Sequence, residues 1–326
     1  EDTLNVSLNY VFSGSSVDGI KELCRQQSGI SSLSLRRTLR PQATFDIFPW
    51  SDIKTLNMSK ARIGTHAFNV LMIALSKAGP SLTDVDVSSN MATLECCSAI
   101  ATLITSNTFI TSLNLSDNPL STSVSEAVGA ALKSNRSIKF LGLASAGMMD
   151  SSTLFEGLAG HPVETLDISN NPCGPRSFAK LGQSMSSGLA LKSLVAKNVD
   201  MRNEGAAALA EGIRNRRSLT SLDVTRAALG PQGLGDLVDA LACGLAVVRV
   251  AAGDNPAGPP TPALIRGLGV LLRERGVREV DLGSTGLREA DVEALAAALA
   301  AAPKLEVLVL SSNGLPAAAG ARLKSA

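Results

Sequence analysis

The feature that most narrows what this chain can fold into is a repeat. Residues 110–120 (ITSLNLSDNPL), 163–173 (VETLDISNNPC) and 305–315 (LEVLVLSSNGL) share the pattern L-x-x-L-x-L-x-x-N-x-L. In that frame, copies begin at residues 30, 53, 82, 110, 138, 163, 191, 219, 247, 277 and 305. The spacings are 23, 29, 28, 28, 25, 28, 28, 28, 30 and 28 residues, a clustering that chance does not produce. The line TLNVSLNYVFSG from Thr3 reads as a degenerate first unit.

Each copy has a physical reading. Positions 4 and 6 are apolar and two residues apart, so they share one face of a short strand while positions 3, 5 and 7 share the other. An Asn at position 9 can donate and accept at once in the turn after the strand, which predicts a side-chain ladder between stacked copies. A helix follows. Ser123 and Glu126 fit a capping box, and Val124, Ala127, Val128, Ala131 and Leu132 recur at helical spacing. Val292, Leu295 and Leu299 repeat that pattern, and Asn203 and Asp291 sit where helices should start. One strand and one helix cannot bury their apolar faces alone, so the copies must stack on a shared elongated core.

The chain thus resembles the leucine-rich repeat family, in particular the class of 28-to-29-residue repeats typified by ribonuclease inhibitor. Asn holds position 9 at 90, 118, 171, 255 and 313, while Ala146, Val199, Ala227 and Thr285 hold it in units between. The resemblance implies an α/β solenoid of about 11 to 12 repeats, with parallel strands on the concave side of an arc and helices on the convex side. It implies one repeat domain over residues 1–326, with 1–52 as degenerate or capping repeats and 53–326 as regular ones. Composition agrees, because 45% hydrophobic but only 3% aromatic residues suit a thin core of Leu, Val, Ile and Ala. The first residue is Glu1, and apolar helix surface is left open over residues 311–326; both predict a piece of a longer protein.

Functional expectations follow from what the inner face offers. Position 5 reads Ser34, Asn57, Asp86, Asn114, Gly142, Asp167, Val195, Asp223, Ala251, Asp281 and Val309. Position 3 adds Asp84 and Glu279, and position 8 adds Asp117 and Asp254. Two readings stand here: a docking surface for a basic segment of a partner, or small polar residues tolerated on a wet strand face. Candidate binding residues are Asp84, Asp86, Asn114, Phe140, Asp167, Asp223, Arg249 and Asp281. Aromatic and Arg anchors are few, which predicts a modest or transient binder.

Arginines gather before two strands, as Arg214, Arg216 and Arg217 and as Arg273, Arg275 and Arg278. They complement helix carboxyl ends, or else they form a basic edge for an acidic surface. Arg36, Arg37 and Arg40 make a further cluster, and Phe45, Phe48 and Trp50 suit an aromatic plug or an exposed anchor. Residues 254–263 carry four prolines that stiffen a turn.

Nothing in the sequence resembles a catalytic constellation. His66 and His161 lie in different units with no neighbouring nucleophile or metal-ligand pattern, and no phosphate-loop motif occurs. No cofactor and no metal are expected. A net charge of +1 argues against nucleic acid held by general basicity, and no apolar run reaches the ~18 residues of a membrane span. Five cysteines without framework spacing read as reduced buried thiols of a cytoplasmic protein. Sequons at Asn5, Asn57, Asn114 and Asn135 would suit a secreted chain instead. The expectation is a non-enzymatic interaction module or scaffold of a cytoskeletal, ciliary or signalling protein. Alternatives implied by the resemblance are a regulator similar to the Ran GTPase activator and the ligand-sensing repeats of a NOD-like receptor.

Overall fold

The structure is a computed structural model describing residues 2–5, 30–34, 53–244, 247–255, 258, 261–300, 302 and 304–325. Its contacts group into two compact units, residues 1–168 and 169–326, and the boundary falls inside the repeat that begins at Val163.

In the first unit seven strands run parallel and adjacent in chain order: β1 (Asp2–Asn5), β2 (Ile30–Ser34), β3 (Thr55–Asn57), β4 (Asp84–Asp86), β5 (Ser112–Asn114), β6 (Phe140–Gly142) and β7 (Thr165–Asp167). Among the described residues of this unit four α-helices intervene: α1 (Gly64–Leu75), α2 (Cys97–Ser106), α3 (Ser123–Leu132) and α4 (Ser152–Gly157). The second unit repeats the scheme with parallel strands β8 (Ser193–Val195), β9 (Ser221–Asp223), β10 (Arg249–Ala251), β11 (Glu279–Asp281) and β12 (Val307–Val309). Its helices are α5 (Pro175–Ser186), α6 (Arg202–Arg216), α7 (Pro231–Ala242), α8 (Pro262–Val270), α9 (Val292–Leu299) and α10 (Ala317–Ser325). This is the leucine-rich repeat solenoid expected from the period.

Register follows the repeat frame. Leu56, Val85, Leu113, Leu141 and Leu166 pair in succession at position 4, and each is no more than 2% exposed. Leu194, Leu222 and Val250 form the same buried column in the second unit. Helices close the core from the other side; Phe68, Leu71, Met72 and Leu75 of α1 are fully buried at helical spacing. Val124, Val128, Ala131 and Leu132 are buried as the pattern predicts, while Ala127 and Leu299 are half-buried. The first strand corrects the frame of the degenerate unit. Leu4 pairs with Leu33, so position 4 belongs to Leu4 and the unit begins two residues before Thr3.

The Asn ladder forms as predicted, and its hydrogen bonds reach the neighbouring repeat. Asn118 accepts from the backbone N–H groups of Asn90 (2.9 Å) and Ala92 (3.1 Å), and donates to the carbonyls of Val87 and Leu115. Asn255 likewise accepts from Ala227 and Leu229 and donates to Val224 and Ala252. Where position 9 is Thr285, its hydroxyl donates to the Leu282 carbonyl at 2.7 Å, and Asn313 serves the Thr285 N–H. These buried amides satisfy turn donors that water cannot reach.

Two features were not anticipated. Position 8 is left-handed in all ten repeats from residue 53 onward, at Lys60, Ser89, Asp117, Ser145, Asn170, Asn198, Arg226, Asp254, Ser284 and Ser312, with φ from 51° to 59°. That turn aims the position 8 N–H at the position 7 carbonyl of the next repeat, as in Lys60 to Ser88, Ser89 to Ser116 and Ser284 to Ser311. A second ladder occupies the corner between helix and strand. Asn107 donates to Leu75 and Ala78, and Asn135 donates to Ile104 and Asn107; both accept from N–H groups of the strand entry. His161 takes that corner in the next repeat, buried, with Nδ1 accepting from Val163 at 3.2 Å.

Helix starts also depart from expectation. Ser123 is the first helical residue of α3 rather than its cap, and no side-chain cap bond forms there, so the capping box is absent. Asn203 lies inside α6 and caps the following repeat, accepting from Gly230 (2.8 Å) and Gly233 (3.1 Å) at the start of α7. Asp291 accepts from the Arg288 N–H just before α9. Proline opens α5, α7 and α8, where its missing N–H is no loss. Pro262 of the proline-rich loop is one of these, and Thr261 before it accepts from Leu264.

Candidate functional site

The strand face away from the core is built from positions 3 and 5, and parallel pairing sets these into two columns with neighbours about 4.8 Å apart. In the first unit position 3 runs Thr55, Asp84, Ser112, Phe140, Thr165, and position 5 runs Asn57, Asp86, Asn114, Gly142, Asp167. Asp84, Asp86, Asn114, Phe140 and Asp167 are therefore brought onto one face, each half-buried. In the second unit Asp223 and Asp281 lie in the position 5 column and Arg249 in the position 3 column beside Ser221 and Glu279.

Position 5 has a structural task. Asn57, Asp86 and Asn114 each accept the backbone N–H two residues on, at 3.0, 3.0 and 3.1 Å, and Asp281 accepts from Gly283 at 2.9 Å. These Asx turns end the strand. The turn needs an oxygen acceptor and is indifferent to charge, since Asn57 and Asn114 perform it as Asp86 does.

Asp223 is the exception among the carboxylates. It is 1% exposed, and it meets Arg249 at 2.9 Å and Lys197 at 3.1 Å while Thr225 donates to it at 2.8 Å. Burial alone would raise its pKa, but the hydrogen bonds from Thr225, Arg249 and Lys197 outweigh that and hold it below the usual range. Arg249 also pairs with Glu279 at 3.1 Å. Asp223 is thus a buried, doubly paired group, which corrects its place among accessible docking carboxylates. Lys197 escaped sequence reasoning; the available signal was a Lys at position 7, where most repeats carry Ser, Thr, Ala or Gly.

Several arginines of the clusters are held by neighbouring acceptors. Arg273 donates to Gly269 and Arg275 to Ala242, both backbone carbonyls, and Arg136 donates to Leu132 and Lys133. Arg214 reaches the Asp236 carbonyl and Asp239, and Arg278 pairs with Glu306 at 3.1 Å. These cations satisfy helix carboxyl ends and neighbouring carboxylates, while Arg217 is exposed. Arg36, Arg37, Arg40, Phe45, Phe48 and Trp50 lie outside the described residues.

The thiols of the described residues are mostly enclosed. Cys96, Cys97 and Cys173 are buried and Cys243 is half-buried. Burial pushes Cys96 up to about 11 and raises Cys97. Cys96 faces the Thr65 carbonyl one repeat back and Cys97 the Leu120 carbonyl one repeat on, so the adjacent pair points apart. Among the described residues no group of three His, Cys, Asp or Glu could hold a metal, and no helix is long and apolar enough to cross a membrane. His66 is exposed on α1, far in sequence from the buried His161. The Asn135 sequon is 1% exposed, and Asn57 and Asn114 accept from the Ser59 and Ser116 of their own sequons.

Comparison with known proteins adds a local match. A family model described as Leucine Rich repeat matches residues 106–123. No curated protein sequence matches the chain significantly. Among solved structures, the chain is similar to the leucine-rich repeat-containing protein LegL7 from Legionella pneumophila, at 18% identity over 89% of this chain and 96% of that one, with a TM-score of 0.49. It is similar also to an internalin (InlF) from Listeria monocytogenes, at 17% identity over 90% of this chain and 78% of that one, with a TM-score of 0.49.

Proposed function

We propose that this chain, whose repeats have the leucine-rich repeat fold, is a non-enzymatic interaction module that docks a protein partner on its strand face. The observation that carries this reading is the pair of register-aligned columns at positions 3 and 5. They set half-buried polar side chains and Phe140 side by side on short strands held by the ladders behind them. Rigid elements present such side chains with little ordering cost on binding. Asp84, Asp86, Asn114, Phe140, Asp167, Arg249 and Asp281 are the contact residues of this reading, and a basic segment is the complement of the acidic ones. The buried thiols Cys96 and Cys97 support a reducing, intracellular setting for a signalling or cytoskeletal scaffold.

The test is a selection of displayed random peptides on the folded chain, followed by photo-crosslinking from the selected peptides. Crosslinks should fall on strand positions such as Ser112 and Thr165. Crosslinks confined to the helices would overturn the reading.

A further inference from the structure

The strand-face carboxylates differ in their partners, and Asp281 of the second unit accepts from Gly283 as Asp86 does from Ser88. In the second unit Asp223 and Glu279 are tied to Lys197 and Arg249. In the first unit Asp84 and Asp86 enter no ion pair among the described residues; Asp84 accepts the Thr83 hydroxyl at 2.6 Å and Asp86 the Ser88 N–H. Asn57 and Asn114 flank Asp86 in register and make the same turn without a charge. The charge of Asp86 therefore does nothing for the turn, and Asp84 shares its face two residues away.

Next to these carboxylates lies an apolar element. Phe140 stands between Ser112 and Thr165, both small, and two residues on the column drops to Gly142. A Cβ there would lie 2.5 Å from the Asn114 Oδ1, so a larger residue would push the Asn114 side chain aside. The face thus offers one half-buried aromatic side chain, with negative charge to one side.

Resting on the interaction reading above, we propose that the strand face of the first unit binds an extended peptide segment that carries lysine or arginine together with one apolar side chain. The cations lie against Asp84 and Asp86, and the apolar side chain packs on Phe140. Charge complementarity selects this occupant, and the paired carboxylates Asp223 and Glu279 make the second unit's face a poorer match for it.

The experiment uses the full chain and short peptides with lysine and arginine beside a single leucine. The comparison peptides replace the cations with glutamate, or the leucine with glycine. Affinity is measured by fluorescence anisotropy at low and moderate salt. The basic-apolar peptide should bind best and weaken with salt, and the Asp84→Asn and Asp86→Asn pair should weaken it roughly tenfold. Phe140→Ala should lower affinity by a similar factor, about tenfold, and remove the preference for leucine over glycine. The pair Glu95→Gln and Glu126→Gln makes the same change in net charge at exposed helical positions and should leave binding within about twofold. Equal losses from both pairs, or a preference for the glutamate peptides, would overturn this proposal. Glutamate-peptide binding that is abolished by Ser112→Arg would do so while leaving the interaction reading intact. No binding by any peptide, together with crosslinks confined to the helices, would remove both.

Discussion

Gly157 packs so closely on Gly129 that a methyl group added to it would overlap the Gly129 carbonyl oxygen. The two glycines let α3 and α4 approach through their backbones, which keeps consecutive repeats in register on the helix side. Gly157→Ala should cost about 1–3 kcal/mol, because backbone cannot yield as a side-chain tip can. Gly320→Ala in α10 meets open space and should be neutral or slightly stabilising. Chemical denaturation of both variants gives the comparison, and equal midpoints would sink the close-packing argument.

Asn118 carries donors of a neighbouring repeat as well as its own turn. Asn118→Ala leaves the N–H groups of Asn90 and Ala92 without their acceptor in a buried site, at a cost of roughly 2–4 kcal/mol. Amide exchange should speed up at Asn90 and Ala92, one repeat away from the substitution. Protection unchanged at those two amides would show that the ladder is not what holds them.

The left-handed turn at position 8 predicts a preference that ordinary propensity would not. Ser284 has φ 55°, so Ser284→Val should destabilise by about 1–2 kcal/mol, whereas Ser284→Gly should match or exceed the parent. Melting temperatures of the two variants decide it. A valine variant as stable as the glycine one contradicts the assigned turn.

His161 makes stability depend on pH. Burial first, then the neighbouring cations Arg136 and Lys139, push its pKa from 6.5 down to about 4, with the Asn135 backbone opposing them. Between those values the unfolded chain binds a proton that the folded chain refuses. Stability is therefore full above about pH 6.5 and falls as the pH drops toward 4, by on the order of 3 kcal/mol in all. His161→Asn places at this corner the residue found at Asn107 and Asn135, and should flatten the pH dependence over that window. An unchanged slope would assign the effect to other groups.

How much of this was legible beforehand follows from where each bond goes. Burial at positions 4 and 6 depends on residues of the same repeat, so the spacing of Leu113 and Leu115 sufficed. The Asn ladder was legible because a side-chain amide carries both a carbonyl acceptor and an NH2 donor, which suits it to a turn with unpaired groups of both kinds. Asn203, by contrast, looks like a local cap and instead serves Gly230, 27 residues on. Position 5 looked like a docking column, yet Asp86 and Asp281 serve a turn and Asp223 is buried under Arg249 and Lys197. Pattern shows which residue types recur, but not which atoms of the neighbouring repeat they meet. The left-handed position left a faint trace: its ten residues include no β-branched or large apolar side chain.

Within each unit the position 8 N–H groups of Lys60, Ser89, Asp117, Asn170, Asn198, Arg226, Asp254 and Ser284 point the same way, toward the next repeat's carbonyl. The array consequently has a polarity, like a row of hooks all facing forward. Losing a repeat from the forward side strands N–H donors, while losing one from the rear strands carbonyls, which tolerate a missing partner more readily. Unravelling should then be asymmetric: under a pulling force, detachment from the rear is the cheaper event, and a break on the forward side loosens the repeat behind it.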